Sequence, residues 1–216
     1  MINYPIYIMH YTKHDHRKKL LEKILNKEIS SSGFEGEVNW ISQYDRDEVS
    51  YPDYYANFSA NHLTHQQRQP TDFFPHYPLQ PEVISLCMKH KTAIKKFLKE
   101  STYPICLFLE DDAILHEGFF TKLNEYLETL PKDFDAAFIG QGCNKRIDPS
   151  KLEENVNWYF KEYPSDRTTD SIIFSRPFLT ALDQALDHYK MAFPIDHEYS
   201  FWFRILSSKV YWLEPD

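Results

Sequence analysis

The chain has 216 residues, 42% of them hydrophobic and 26% charged, with only five glycines; this is the balance of a core-forming globular protein and excludes disordered and collagen-like classes. A formal charge of −8 argues against a general nucleic-acid binder, which needs a basic face to displace counterions from phosphates, so no nucleic-acid partner is expected. No apolar run approaches the roughly 20 residues that span a bilayer, so no transmembrane segment is expected.

The chain opens with a strand pattern at residues 6–10, too short and too polar at its flanks for a signal peptide. Residues 15–28 follow as a helix with Leu20, Leu21, Ile24 and Leu25 on one stripe. A second strand at residues 38–42 runs into the polar stretch 43–47. Residues 48–81 are rich in Tyr, His, Pro, Asn and Gln and lack apolar periodicity. They read as one long irregular loop, either a functional lid or a passive surface excursion. Pro81 opens a helix to about residue 100, with Val83, Leu86, Cys87, Ile94 and Phe97 at helical spacing. His90 lies on that stripe, where a buried, hydrogen-bonded histidine is the expectation. Residues 105–109 are continuously apolar, the pattern of a strand covered on both faces. A helix at 119–130, strands at 135–140 and 171–174, a helix at 177–189 and a strand at 210–213 complete the order.

This alternation predicts a single α/β domain with a mostly parallel central sheet. In such sheets ligands gather beyond the carboxyl ends of the strands. That rule selects residues 10–17, 43–47, 110–112 and 140–144 as one rim. The three cysteines, Cys87, Cys106 and Cys143, show no paired spacing for a disulfide frame or zinc knuckle, which fits a reducing, cytoplasmic setting. Asn57-Phe58-Ser59 matches a glycosylation sequon and is taken as coincidence without a secretory signal.

Glu110, Asp111 and Asp112 follow the buried strand directly. Adjacent carboxylates repel one another unless water or a cation relieves them, and Mg²⁺ or Mn²⁺ is commonly held by one or two carboxylates together with substrate phosphates. If strand geometry continues, Glu110 and Asp112 point to one side and Asp111 to the other. A solvated acidic turn is the plain alternative. Arg17, at the start of the first helix, suits a phosphate by its guanidinium geometry and its place at a helix N-terminus, or is an ordinary solvated arginine.

The sequence also resembles glycosyltransferase family 25, the group of lipooligosaccharide and collagen hydroxylysine galactosyltransferases. The resemblance rests on Ile6-Tyr7-Ile8 leading to Arg17, residues 81–90, Leu109-Glu110-Asp111-Asp112-Ala113, residues 135–140, residues 168–176 and Pro194-Ile195-Asp196-His197, in the family's order. Lys89 departs from it, standing where the family commonly has serine. The resemblance implies a GT-A nucleotide-sandwich fold and a UDP-sugar donor, with galactose or glucose passed to a glycan or glycoprotein hydroxyl, as in lipopolysaccharide biosynthesis. Carried over by position, Asp112 is the principal metal ligand, Glu110 lies near the metal or ribose, and Asp111 is a weaker second. Thr12 and Asp45 would meet the nucleotide, and His197 would complete the metal shell. The acceptor hydroxyl needs a base, for which Asp196 is the first candidate and Asp170 the second. A helix N-cap is the structural alternative for Asp196 and its neighbour. Two other functions fit the acidic rim: a Mg²⁺-dependent phosphoryl-transfer enzyme, and a glycan-binding module without turnover.

Overall fold

A computed structural model describes residues 2–59, 79–140, 144–165 and 167–214. Its centre is a seven-stranded sheet of β1 (Ile6–Met9), β2 (Val38–Ile41), β3 (Ile105–Glu110), β4 (Ala136–Phe138), β5 (Trp158–Phe160), β6 (Ser171–Ser175) and β7 (Val210–Leu213), in the order β2-β1-β3-β6-β4-β7-β5. β1 pairs parallel with β2 and β3, and β4 pairs parallel with β7. β6 runs antiparallel to both β3 and β4, and β5 antiparallel to β7. Five strands therefore share one direction, in keeping with the expected α/β class, while β6 and β5 are reversed.

Helices cover both faces. α3 (Pro81–Glu100), α5 (Arg176–Tyr189) and α6 (Ile195–Ile205) pack on one, and α1 (Asp15–Ser32) and α4 (Phe119–Thr129) on the other. The period of two in a strand splits β3 between them: Cys106 and Phe108 join the core under α3, and Leu107 and Leu109 join the core under α1. All four are fully buried, which is why this strand reads as an uninterrupted apolar run. In β1 the same alternation sends Tyr7 and Met9 toward α3, and Ile6 and Ile8 toward α1.

Three local features depart from the sequence reading. The stretch expected as one loop contains α2 (Tyr51–Asn57), started by a reciprocal capping box in which the Ser50 hydroxyl accepts from Asp53 N and the Asp53 carboxylate accepts from Ser50 N. Residues 60–78 of that stretch lie outside the described part, as does Cys143. Strand β5 and helix α6 were not foreseen. Asp196 sits inside the first turn of α6 after Pro194, so it is not the N-cap. Among the described residues no helix is long and apolar enough to cross a membrane.

Candidate active site

β2 and β3 flank β1 on opposite sides, so the connections leaving β1 and β2 diverge at the carboxyl ends of β1 and β3. Such a switch point leaves a crevice between strand ends. A cavity of about 190 Å³ lies there, its walls formed by the end of β1 (Met9, His10, Tyr11), by Arg17 from α1, by Ser85, Leu86 and Lys89 from α3, and by Glu110 and Asp111 from β3.

The acidic triplet divides in a way that strand alternation does not foresee. β3 ends at Glu110, and Ala113 N donates to Glu110 O at 3.2 Å, closing a turn. Alternation therefore stops, and Asp112 joins Asp111 instead of Glu110. Asp111 is buried; its Oδ2 accepts from His10 Nδ1 at 2.8 Å and from Tyr11 N at 3.3 Å, and its Oδ1 accepts from Arg17 Nη1 at 3.1 Å. The same Arg17 nitrogen reaches Asp112 Oδ2 at 3.0 Å. Arg17 Nη1 thus holds two carboxylates side by side. Asp111 emerges as the positioning carboxylate, with three donors around it. Asp112 is half exposed, and among the described residues its Oδ1 accepts no hydrogen bond.

Glu110 faces the α3 side, beside Met9 in the β1–β3 register. Burial pushes its carboxyl up to about 7; Thr169 Oγ1 donates to it and pulls the other way, while Asp112, Asp170 and Asp111 raise it further. Asp170 reaches this cluster because Glu110 N donates to Asp170 O at 3.1 Å and because position 140 is glycine: a Cβ there would collide with the Asp170 carboxylate. Thr168 Oγ1 holds the Asp170 side chain at 2.8 Å.

Behind the α3 wall, Asp45 is buried and held by internal donors. Its Oδ2 accepts from Thr12 N at 3.0 Å and from the Thr12 hydroxyl, and its Oδ1 accepts from Lys89 Nζ at 2.6 Å. Burial alone would raise its carboxyl, but the Lys89 and Thr12 hydrogen bonds outweigh it and leave the group below its ordinary value. Thr12 and Asp45 clamp the loop after β1 to the loop after β2. Lys89 is the site residue that sequence reasoning passed over. A lysine on the buried stripe of Ser85, Lys89 and Ala93 was the available signal, because a charged side chain stays fully buried only when paired.

Asp196 and His197 lie in the first turn of α6. Asp196 Oδ1 accepts from His197 N at 2.9 Å, a bond within the first turn of α6. Glu110, Asp112 and His197 do not form a ligand cluster, and among the described residues no three His, Cys, Asp or Glu side chains converge as metal ligands. Asp111 and Asp112 pair with Arg17 instead, and Glu110 accepts from the Thr169 hydroxyl. The donor chemistry still suits a hard divalent ion, since Asp112, Glu110 and Asp170 offer oxygen only and three neighbouring carboxylates already oppose ionisation of Glu110. His90 is fully buried, as expected; its Nδ1 lies 2.8 Å from Tyr199 Oη, and burial pushes its pKa down to about 3.

No protein-family model matches the sequence, and no curated protein sequence matches it. Among solved structures, mouse xyloside xylosyltransferase 1 in its apo form superposes with a TM-score of 0.41 at 10% identity, over 97% of this chain and 84% of that one.

Proposed function

We propose that this chain is a metal-assisted glycosyltransferase that moves a hexosyl group, galactose or glucose, from a UDP-sugar to a hydroxyl of a glycan or glycoprotein acceptor with inversion. The observation that carries the reading is the switch-point cavity at which Arg17 pairs with Asp111 and Asp112, with Glu110 held at about 7 by burial and by its acidic neighbours. At about 190 Å³ the cavity is smaller than the roughly 300–1,000 Å³ of a typical small-molecule site, so a nucleotide sugar would fill it and extend over the open rim.

Asp112 and Glu110 would hold Mn²⁺ or Mg²⁺, which when bound would supply positive charge to the diphosphate leaving group. Arg17 donates its remaining N–H groups to the same oxygens, and His10 and Tyr11 N keep Asp111 in place to orient Arg17. The acceptor hydroxyl gives its proton to a carboxylate. Asp170 stands at the cluster and Asp196 at the start of α6, and a base of this kind is worth about 10²- to 10⁴-fold.

The test is thermal stabilisation and donor hydrolysis across nucleotide sugars, with Mn²⁺ and with a chelator. Stabilisation by a UDP-sugar that needs Mn²⁺ and disappears in Asp112→Ala is the expected result. No response to any nucleotide sugar, accompanied by metal-dependent phosphate release from phosphomonoesters, would replace this reading with phosphoryl transfer. Turnover lost in Asp170→Asn or in Asp196→Asn, with donor binding intact, identifies the base.

A further inference from the structure

The α3 wall of the cavity has polar groups whose partners can be counted. Glu82 pairs with Arg46 at 3.7 Å, and Ser85 Oγ donates to Tyr44 O at 2.6 Å. Leu86 and, across from it, Met9 are apolar. Lys89 is 3% exposed, and its Nζ donates to Asp45 Oδ1 at 2.6 Å and to Gln43 O at 2.9 Å. An ammonium has three donors, and the third has no acceptor among the described residues. A buried donor left unpaired is costly, so a partner is expected from whatever enters the cavity.

We infer that Lys89 is a specificity-determining residue that reads a carbonyl oxygen on the pyrimidine edge of the donor nucleotide, favouring uridine over cytidine. This rests on the nucleotide-sugar reading above and deepens it. Asp45 already neutralises Lys89, so the pair presents a hydrogen-bond donor without net charge. That suits a neutral carbonyl better than a phosphate, for which Arg17 lies on the opposite wall. Asp45 and Thr12 do not line the cavity, whereas Lys89 does, so the ligand meets the lysine and not the carboxylate behind it. Met9 and Leu86 supply apolar surface for a flat ring. A uracil offers a carbonyl at the 4-position where cytosine carries an amino group, and an amino group facing an ammonium leaves both donors unpaired.

Calorimetric titration of the full chain with UDP and with CDP, each with Mn²⁺, tests the assignment. The wild-type protein is expected to prefer UDP by roughly ten- to hundredfold, the range of a hydrogen bond from a charged donor. Because Lys89→Met alone strands Asp45 in the interior, the variant to use is Lys89→Met combined with Asp45→Asn, which keeps an acceptor for Thr12; circular dichroism confirms folding. Its UDP-to-CDP ratio is expected to fall to about one while diphosphate binding persists. A ratio unchanged in the folded double variant, or a wild-type protein that binds both nucleotides equally, overturns the role of Lys89 and leaves the transferase reading standing. Failure of every nucleotide to bind overturns both.

Discussion

Glu198 is fully buried and Glu110 partly so, and desolvation pushes both carboxyls up to about 7. Their surroundings differ completely. Glu198 Oε2 accepts from Ala192 N at 2.9 Å and Phe193 N at 3.0 Å, and its Oε1 accepts from Trp202 Nε1 at 2.7 Å. Every contact of that carboxylate is a neutral donor, and together they fasten the segment before α6 to the helix itself. Glu110 has one hydroxyl donor and three carboxylates whose charges oppose its ionisation. A perturbed carboxyl therefore points to a candidate site when its neighbours are like-charged; a carboxyl enclosed by matched neutral donors is a structural tie.

The largest effect expected from breaking this contrast is in the tie. Glu198→Ala strands two backbone N–H groups and an indole N–H in the core, and urea unfolding should report a loss of about 3–5 kcal/mol. The same comparison predicts a pH dependence of defined sign. Each carboxyl rises from 4.5 unfolded to about 7 folded, so between those values the folded state holds more protons and stability falls as pH rises. The loss is complete above about 7 and absent below about 4.5, up to about 3 kcal/mol for each group. Unfolding midpoints in Glu110→Gln and in Glu198→Gln should each show a flatter profile through that window. Under the proposed metal-assisted reading, Mn²⁺ should flatten only the Glu110 share.

A smaller stability effect, of opposite sign to that of the tie, belongs to the site. Glu110→Gln removes a buried charge faced by like charges, so the midpoint should hold or rise by up to about 1 kcal/mol near pH 8 while turnover falls roughly a hundredfold. A parallel loss of stability and turnover would make Glu110 a second structural tie. The smallest effect is on the surface: Lys13→Ala breaks the exposed pair with Asp47 and should leave the unfolding midpoint unchanged.

Much of the frame was legible along the chain because its signals are local. The apolar run ending in Glu110 announces a doubly covered strand and a rim beyond it, and the Val83, Leu86, Cys87, Ile94 and Phe97 stripe announces α3. The capping box at Ser50 and Asp53 was equally local and was masked by the polar composition around it. Three-residue β5 carries too few positions for a period to show.

The sequence by itself determined the order of the elements other than α2, β5 and α6, the α/β class and the placing of Glu110, Asp111 and Asp112 at a strand end, since each follows from patterns within a few residues. Only the tertiary structure decided how the acids are used. Asp111 became the anchor for His10 and Arg17, Asp112 turned to join it when β3 ended, and Asp170 arrived against Gly140 from 60 positions downstream of Glu110. It also joined Lys89 to Asp45. Those pairings depend on which strands neighbour one another and on the desolvation their packing imposes, quantities set by the whole sheet and by no short stretch of it.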